Sequence, residues 1–275
     1  MYEHLGLGAL DYAHCRYGQS RQVFRGPKRR LRETYCVMMG GSETYGRFIE
    51  RPFATLVEEQ INQQIVNLGS VNAGVDAYAR DPAILNICAG AKASVLQITG
   101  AQNMSNRLYI VHPRRNDRFL RASPLLKNLF RDVDFTEFNF TRHMLNTLQE
   151  VSPERFTLVI EELRAAWLAR MRFVAESLPG AKILLHAGRE PLPKVLPEQG
   201  MGSDPLFIDQ GLVAQLKPCF TDLVQVVASE EARTQGADSL CYGPLEEGAA
   251  KHTLGPKFHA EVARALAPKL QALMA

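Results

Sequence analysis

No run of apolar residues in this 275-residue chain approaches the roughly 20 that a membrane-crossing helix requires. Cysteine is sparse. Cys15, Cys36, Cys88, Cys219 and Cys241 are odd in number, widely scattered and never spaced C-x-x-C. That pattern argues against a disulfide framework or a zinc cluster and fits reduced thiols in a cytoplasmic protein. Met1-Tyr2-Glu3-His4 lacks the basic-then-apolar order of a secretory leader, which adds to the cytoplasmic expectation. Internal repeats, low-complexity tracts and Pro/Gly/Ser-rich linkers are missing too, so one domain over 1–275 is expected. Charge of one sign is not in excess: a net charge of +3 is too small to imply nucleic-acid binding.

The basic residues that are present are uneven. Arg25, Lys28, Arg29, Arg30 and Arg32 crowd one segment, and Arg107, Arg114, Arg115, Arg118 and Arg121 crowd another. Two readings are open: solvated surfaces, or the rim of a site that attracts an anion, since guanidinium forks suit phosphate and carboxylate. Neither cluster is interleaved with stacking aromatics, which disfavours RNA.

Short apolar runs set the rhythm of the chain. Residues 1–33 are irregular and basic, an expected surface arm. Strand-length runs follow at 35–39, 65–68, 94–99, 182–186 and 222–227, each near-continuously apolar. Helices are expected over 51–63, over 75–91 with Pro82 dividing them, from Ser152-Pro153-Glu154 to Gly180, and after Gly255-Pro256. An insertion over 104–150 breaks the alternation and carries an aromatic-rich run from Phe130 to Phe140, and 188–210 is a Pro/Gly-rich loop. Apolar strands alternating with helices predict a parallel sheet covered on both faces, an α/β fold.

In such sheets chemistry gathers beyond the strand C-termini. Ser42 follows the first strand across Gly40-Gly41, where a serine can present its hydroxyl and N–H to one space, or simply shape a turn. The second strand ends in Gly69-Ser70-Val71-Asn72-Ala73-Gly74, whose glycines allow close backbone approach. The third ends in Gly100-Ala101-Gln102-Asn103, which offers a carboxamide, and His252 precedes the last helix. His186, ending the fourth run, and His143 are alternative bases.

This order of blocks resembles the SGNH (GDSL-like) hydrolase superfamily over about residues 35–270. Val37-Met38-Met39-Gly40-Gly41-Ser42 looks like its Gly-Asp-Ser block, and Asn67 through Gly74 like its glycine block. Gly100-Ala101-Gln102-Asn103 looks like Gly-x-Asn, and His252-Thr253-Leu254-Gly255 like the histidine block. The resemblance implies a three-layer α/β/α sandwich around a mainly parallel five-stranded sheet in flavodoxin-like order. It further implies an O-acyl esterase or acyltransferase with Ser42 as nucleophile and His252 as base. Ser42 N–H, the amide of Gly74 or Asn72, and the side chain of Asn103 or Gln102 would hold the oxyanion. The chain departs from the pattern at Gly41, where the family has Asp, and at Ala249, where it has the Asp that orients the histidine. Glu246, Glu247 or a backbone carbonyl would have to serve instead.

The insertion is where substrate specificity is expected. His112, Arg114, Arg115 and Arg118, with His186, are candidates to bind a small-molecule substrate carrying an anionic group or a carbohydrate; a salt-bridged lid or a subunit contact is the other reading. No cofactor is implied, and His112, Asp117, His143 and His186 lack metal-ligand spacing. A membrane or nucleic-acid partner is not expected, and a homo-oligomer is compatible with the chain. The competing function is a non-catalytic ligand binder that keeps the sheet and holds an anion on its basic rim.

Overall fold

The computed structural model describes residues 8–32, 34–198 and 200–274. Five parallel strands form the main sheet in the order β2-β1-β3-β6-β7. They are β1 (Tyr35–Met39), β2 (Gln64–Asn67), β3 (Ala93–Gln97), β6 (Ala181–Gly188) and β7 (Asp222–Val227). Every pairing within this sheet is parallel, with Cys36 beside Ala93, Val95 beside Ile183 and Leu185 beside Val224. This is the five-stranded α/β architecture expected from the apolar runs. The three central strands bury both faces, which is why their residues do not alternate.

Two apolar cores flank the sheet. On one face α2 (Phe53–Ile61) and α11 (Pro256–Met274) close over Cys36, Met38, Val95, Ile183 and Leu185. On the other lie α3 (Asp76–Ala79), α4 (Pro82–Ala89) and α7 (Pro153–Ser177). Helix α7 carries Phe156, Val159, Leu163, Trp167, Met171 and Val174 on its inner stripe, and Ser152 caps its start by accepting from Arg155 N. Pro82 does divide 75–91, because it opens α4 behind the Asp81 cap.

The insertion over 104–150 holds more regular structure than its sequence suggests. It contains an antiparallel pair, β4 (Tyr109–His112) and β5 (Arg115–Ala122), then α5 (Pro124–Leu129) and α6 (Thr141–Val151). The aromatic run fills the core beneath it, with Phe119, Phe135 and Phe138 in successive ring contacts. Short helices complete the chain: α1 (Ser42–Tyr45), α8 (Gln210–Ala214), α9 (Glu230–Thr234) and α10 (Glu247–Ala250). No helix among the described residues is long and apolar enough to cross a membrane.

The arm is irregular where it is described; residues 1–7 and 33 lie outside the described residues. Its basic residues are not uniformly solvated. Arg25 donates to the carbonyls of Gly46, Ile49 and Glu50 at 2.6–2.7 Å, and Arg29 pairs with Glu58 at 2.7 Å. Those two side chains fasten the arm to the segment leading into α2 and to α2 itself, rather than standing free for a ligand.

Candidate active site

The C-terminal end of β1 is organised by two buried side chains. Tyr78 of α3 accepts from Gly40 N at 2.9 Å and donates between the carbonyls of Gly40 and Leu68, so one hydroxyl ties the ends of β1 and β2. Gln97, the last residue of β3, accepts from Gly41 N at 3.0 Å and Thr44 Oγ1 at 2.6 Å. Its amide nitrogen donates to Glu43 Oε2 at 2.9 Å. Gly40 must be glycine: a Cβ there would fall 2.3 Å from Gln97 Oε1. Burial pushes the Glu43 carboxyl above its ordinary range; the Gln97 hydrogen bond opposes this, and the charge of Asp204 adds to it.

Ser42 therefore stands at the first turn of α1 on a fixed loop. Its Oγ accepts from Asn72 N at 3.1 Å and donates to Asn72 Oδ1 at 3.3 Å. Asn72 adopts a left-handed conformation, φ 54°, which asparagine tolerates better than most residues. Its amide nitrogen donates to Asp117 Oδ2 at 3.1 Å, and its carbonyl accepts from Asn103 Nδ2 at 3.0 Å. Asn103 Oδ1 accepts from Thr141 Oγ1 at 2.9 Å. Ser42, Asn72, Asn103, Asp117 and Thr141 thus converge from the ends of β1, β2 and β3, from β5 and from α6. Such a cluster fixes the direction of the serine hydroxyl.

The other residues singled out in the sequence are distributed differently. Gly74 N–H is taken by Asn116 Oδ1 at 3.0 Å, so that amide is engaged internally. Gln102 is buried, and its Oε1 has no hydrogen-bond partner among the described residues. His252 lies exposed between α10 and α11, and no described histidine is hydrogen-bonded to Ser42. The segment before it packs on Phe48 and Ile49, and Glu246 pairs with Arg47 at 3.2 Å. His186 is 1% exposed, with Nε2 against Glu190 O at 2.9 Å, and burial lowers its pKa. His143 is exposed on α6 with its ring against Phe138. His112 Nδ1 accepts from Arg114 N and Arg115 N at the turn between β4 and β5. Arg114 and Arg115 are exposed there, while Arg118 lies over the Phe140 ring at 5.2 Å.

Gln97, Asn116 and Thr141 were passed over in the sequence, and Asp117 was weighed there only as a metal ligand, a role its spacing did not support. Gln97 carried a signal, being a large polar residue inside an apolar run. Among the described residues no cluster of three or more His, Cys, Asp or Glu side chains could hold a metal ion.

The strand order and these strand-end contacts define an α/β sandwich protein with a polar, serine-centred cluster at the strand ends. The chain belongs to the family described as a domain of unknown function, DUF6473, whose profile matches residues 1–274. No curated protein matches it. Among solved structures it is similar to a family two carbohydrate esterase from Clostridium thermocellum, solved with cellohexaose, at 9% identity and a TM-score of 0.44. That match covers 91% of this chain but 66% of the esterase, just under two thirds of its length. A second similarity is to the lipase Lip_vut3 from a goat rumen metagenome, at 13% identity and a TM-score of 0.39, covering 88% of this chain and 98% of the lipase. Likeness this distant says nothing of a substrate.

Proposed function

We propose that the protein is a serine-dependent O-acyl ester hydrolase or acyltransferase, SGNH-like in its order of blocks, with Ser42 as nucleophile. The observation that carries this reading is the Asn72 N–H held 3.1 Å from Ser42 Oγ just beyond the C-terminal end of β1. Oxyanion-stabilising donors in such a place contribute about 3 kcal/mol each to lowering an acyl-transfer barrier. In this reading the Ser42 Oγ–carbon bond forms as the hydroxyl proton passes to His252, the base the resemblance supplies, which is exposed and makes no hydrogen bond to Ser42 in the resting chain. The bond to the leaving alcohol then breaks as that alcohol takes the proton. Water or a second alcohol releases the acyl group by the reverse steps. Ser42 N–H lies beside the developing oxyanion, and Asn72 N–H and Asn103 Nδ2 join it by exchanging their present acceptors, Ser42 Oγ and Asn72 O, for the oxyanion. Arg114, Arg115 and Arg118 on the inserted hairpin receive an anionic or carbohydrate-borne group.

Turnover of a short-chain p-nitrophenyl ester tests it. Ser42→Ala is expected to abolish turnover while leaving the far-ultraviolet circular dichroism unchanged; undiminished turnover removes Ser42 from the mechanism. A second reading, a non-catalytic ligand binder, is favoured by one specific pair of facts. No described histidine is hydrogen-bonded to Ser42, and Ala249 stands where the resembled family has its orienting Asp. Binding of an anionic sugar ester without turnover by the wild-type protein would select it.

A further inference from the structure

We infer that Asp117 is a positioning residue for Ser42, acting through the side-chain amide of Asn72; this rests on the serine chemistry proposed above. A carboxylate accepts hydrogen bonds and donates none. With Asp117 Oδ2 at 3.1 Å, the Asn72 amide must turn its Nδ2 toward Asp117, which leaves Oδ1 facing Ser42 at 3.3 Å. The Ser42 hydroxyl then has one available arrangement: it donates to Oδ1 and accepts the Asn72 N–H at 3.1 Å. The carboxylate two residues removed in this chain of contacts selects the rotamer of the nucleophile.

Asp117 is itself held firmly. Its carbonyl lies 3.3 Å from Thr141 Oγ1 and shares that hydroxyl's proton with Asn103 Oδ1, the nearer acceptor at 2.9 Å. Its neighbour Asn116 is 1% exposed, accepts from Gly74 N at 3.0 Å and donates to His112 O at 3.1 Å. The β4–β5 hairpin is thus clamped to the loop after β2 by adjacent side chains, one structural and one directed at the serine. The insertion does more than supply a rim; it completes the first turn of the site.

In Asp117→Asn the shape is kept but the partner can donate, so the Asn72 amide loses its enforced direction. Misdirecting a nucleophile by about an ångström costs on the order of 100-fold in rate. The expected result is a 10- to 100-fold fall in kcat for the p-nitrophenyl ester with KM unchanged and partial recovery in Asp117→Glu. The Asn72 side-chain amide protons, followed by ¹⁵N-resolved NMR, are expected to move upfield in Asp117→Asn as the charged acceptor is lost. Ser42-dependent turnover that Asp117→Asn leaves unchanged overturns the role of Asp117 alone, as does an unmoved Asn72 amide signal. Turnover that survives Ser42→Ala overturns the serine chemistry itself, and the inference with it.

Discussion

The backbone N–H of Asn72 donates to the hydroxyl of Ser42 across 3.1 Å, so the loop after β2 and the first turn of α1 meet at one oxygen atom. Two loops far apart in sequence reach this point because β1 and β2 are neighbours in register, with Met38 beside Asn67. The contact is only as good as the loop that presents Asn72, and that loop is held by glycine.

Gly74→Ala tests that dependence. A Cβ at Gly74 would lie 1.7 Å from the carbonyl oxygen of Asn103, a backbone atom that cannot step aside cheaply. Forced overpacking of this kind costs about 1–3 kcal/mol and displaces the backbone. Thermal melting is expected to show a lowered midpoint, and Ser42-dependent ester turnover is expected to fall more than tenfold in the folded fraction.

Gln97→Leu removes a buried acceptor shared by Gly41 N and Thr44 Oγ1 and a part-buried donor to Glu43. Stranded buried polar groups cost about 1–3 kcal/mol each. A loss of about 3 kcal/mol in urea-unfolding free energy is expected.

The inner strands were legible because burial on both faces leaves an unbroken apolar signature, as at 35–39. The edge strand 222–227, half exposed, was still marked by Leu223, Val224, Val226 and Val227, and both are read from sequence with the bounds observed. The hairpin was not. β5 reads Arg-Asn-Asp-Arg-Phe-Leu-Arg-Ala, and its charged side chains face outward or toward the site, so neither alternation nor a continuous run marks it. Ser42, Asn72 and Asn103 were legible by their place after strand ends. Asn116 and Thr141 were not, because their part consists of hydrogen bonds to distant backbone or side chains, and spacing along the chain carries no trace of those; Gln97 left only the mark of a large polar side chain in an apolar run. The basic arm misled for a related reason: Arg25 spends its charge on three backbone carbonyls, which composition does not distinguish from a solvated or ligand-binding face.

Sensitivity to acid follows from His259. Its Nδ1 accepts from Phe53 N at 3.1 Å and so satisfies a free donor at the start of α2, where Pro52 offers no side-chain cap. Burial lowers its pKa from 6.5 to about 3, so the folded protein keeps this ring neutral while the unfolded chain protonates it below about 6.5. Stability is thus fully present above that pH and is lost as pH falls toward 3, by up to about 1.4 kcal/mol per pH unit. In urea titrations across this window, His259→Gln is expected to flatten the slope.

Arg25→Ala is expected to release the arm. Hydrogen bonds from a charged donor contribute about 1.5–3 kcal/mol each, and three carbonyls lose theirs together. Limited proteolysis should cleave within 8–32 at a much lower protease concentration than in the wild type, while the α7–sheet core stays intact. Equal protection in both proteins would show that the arm is held by other contacts.

The most direct test of the central claim is reaction with a fluorophosphonate, read by intact mass and by peptide mapping. One adduct per chain, located on Ser42 and missing from Ser42→Ala, is the predicted result. A wild-type protein that stays unmodified under conditions that label a known serine esterase, or that carries its adduct on another residue, contradicts the account.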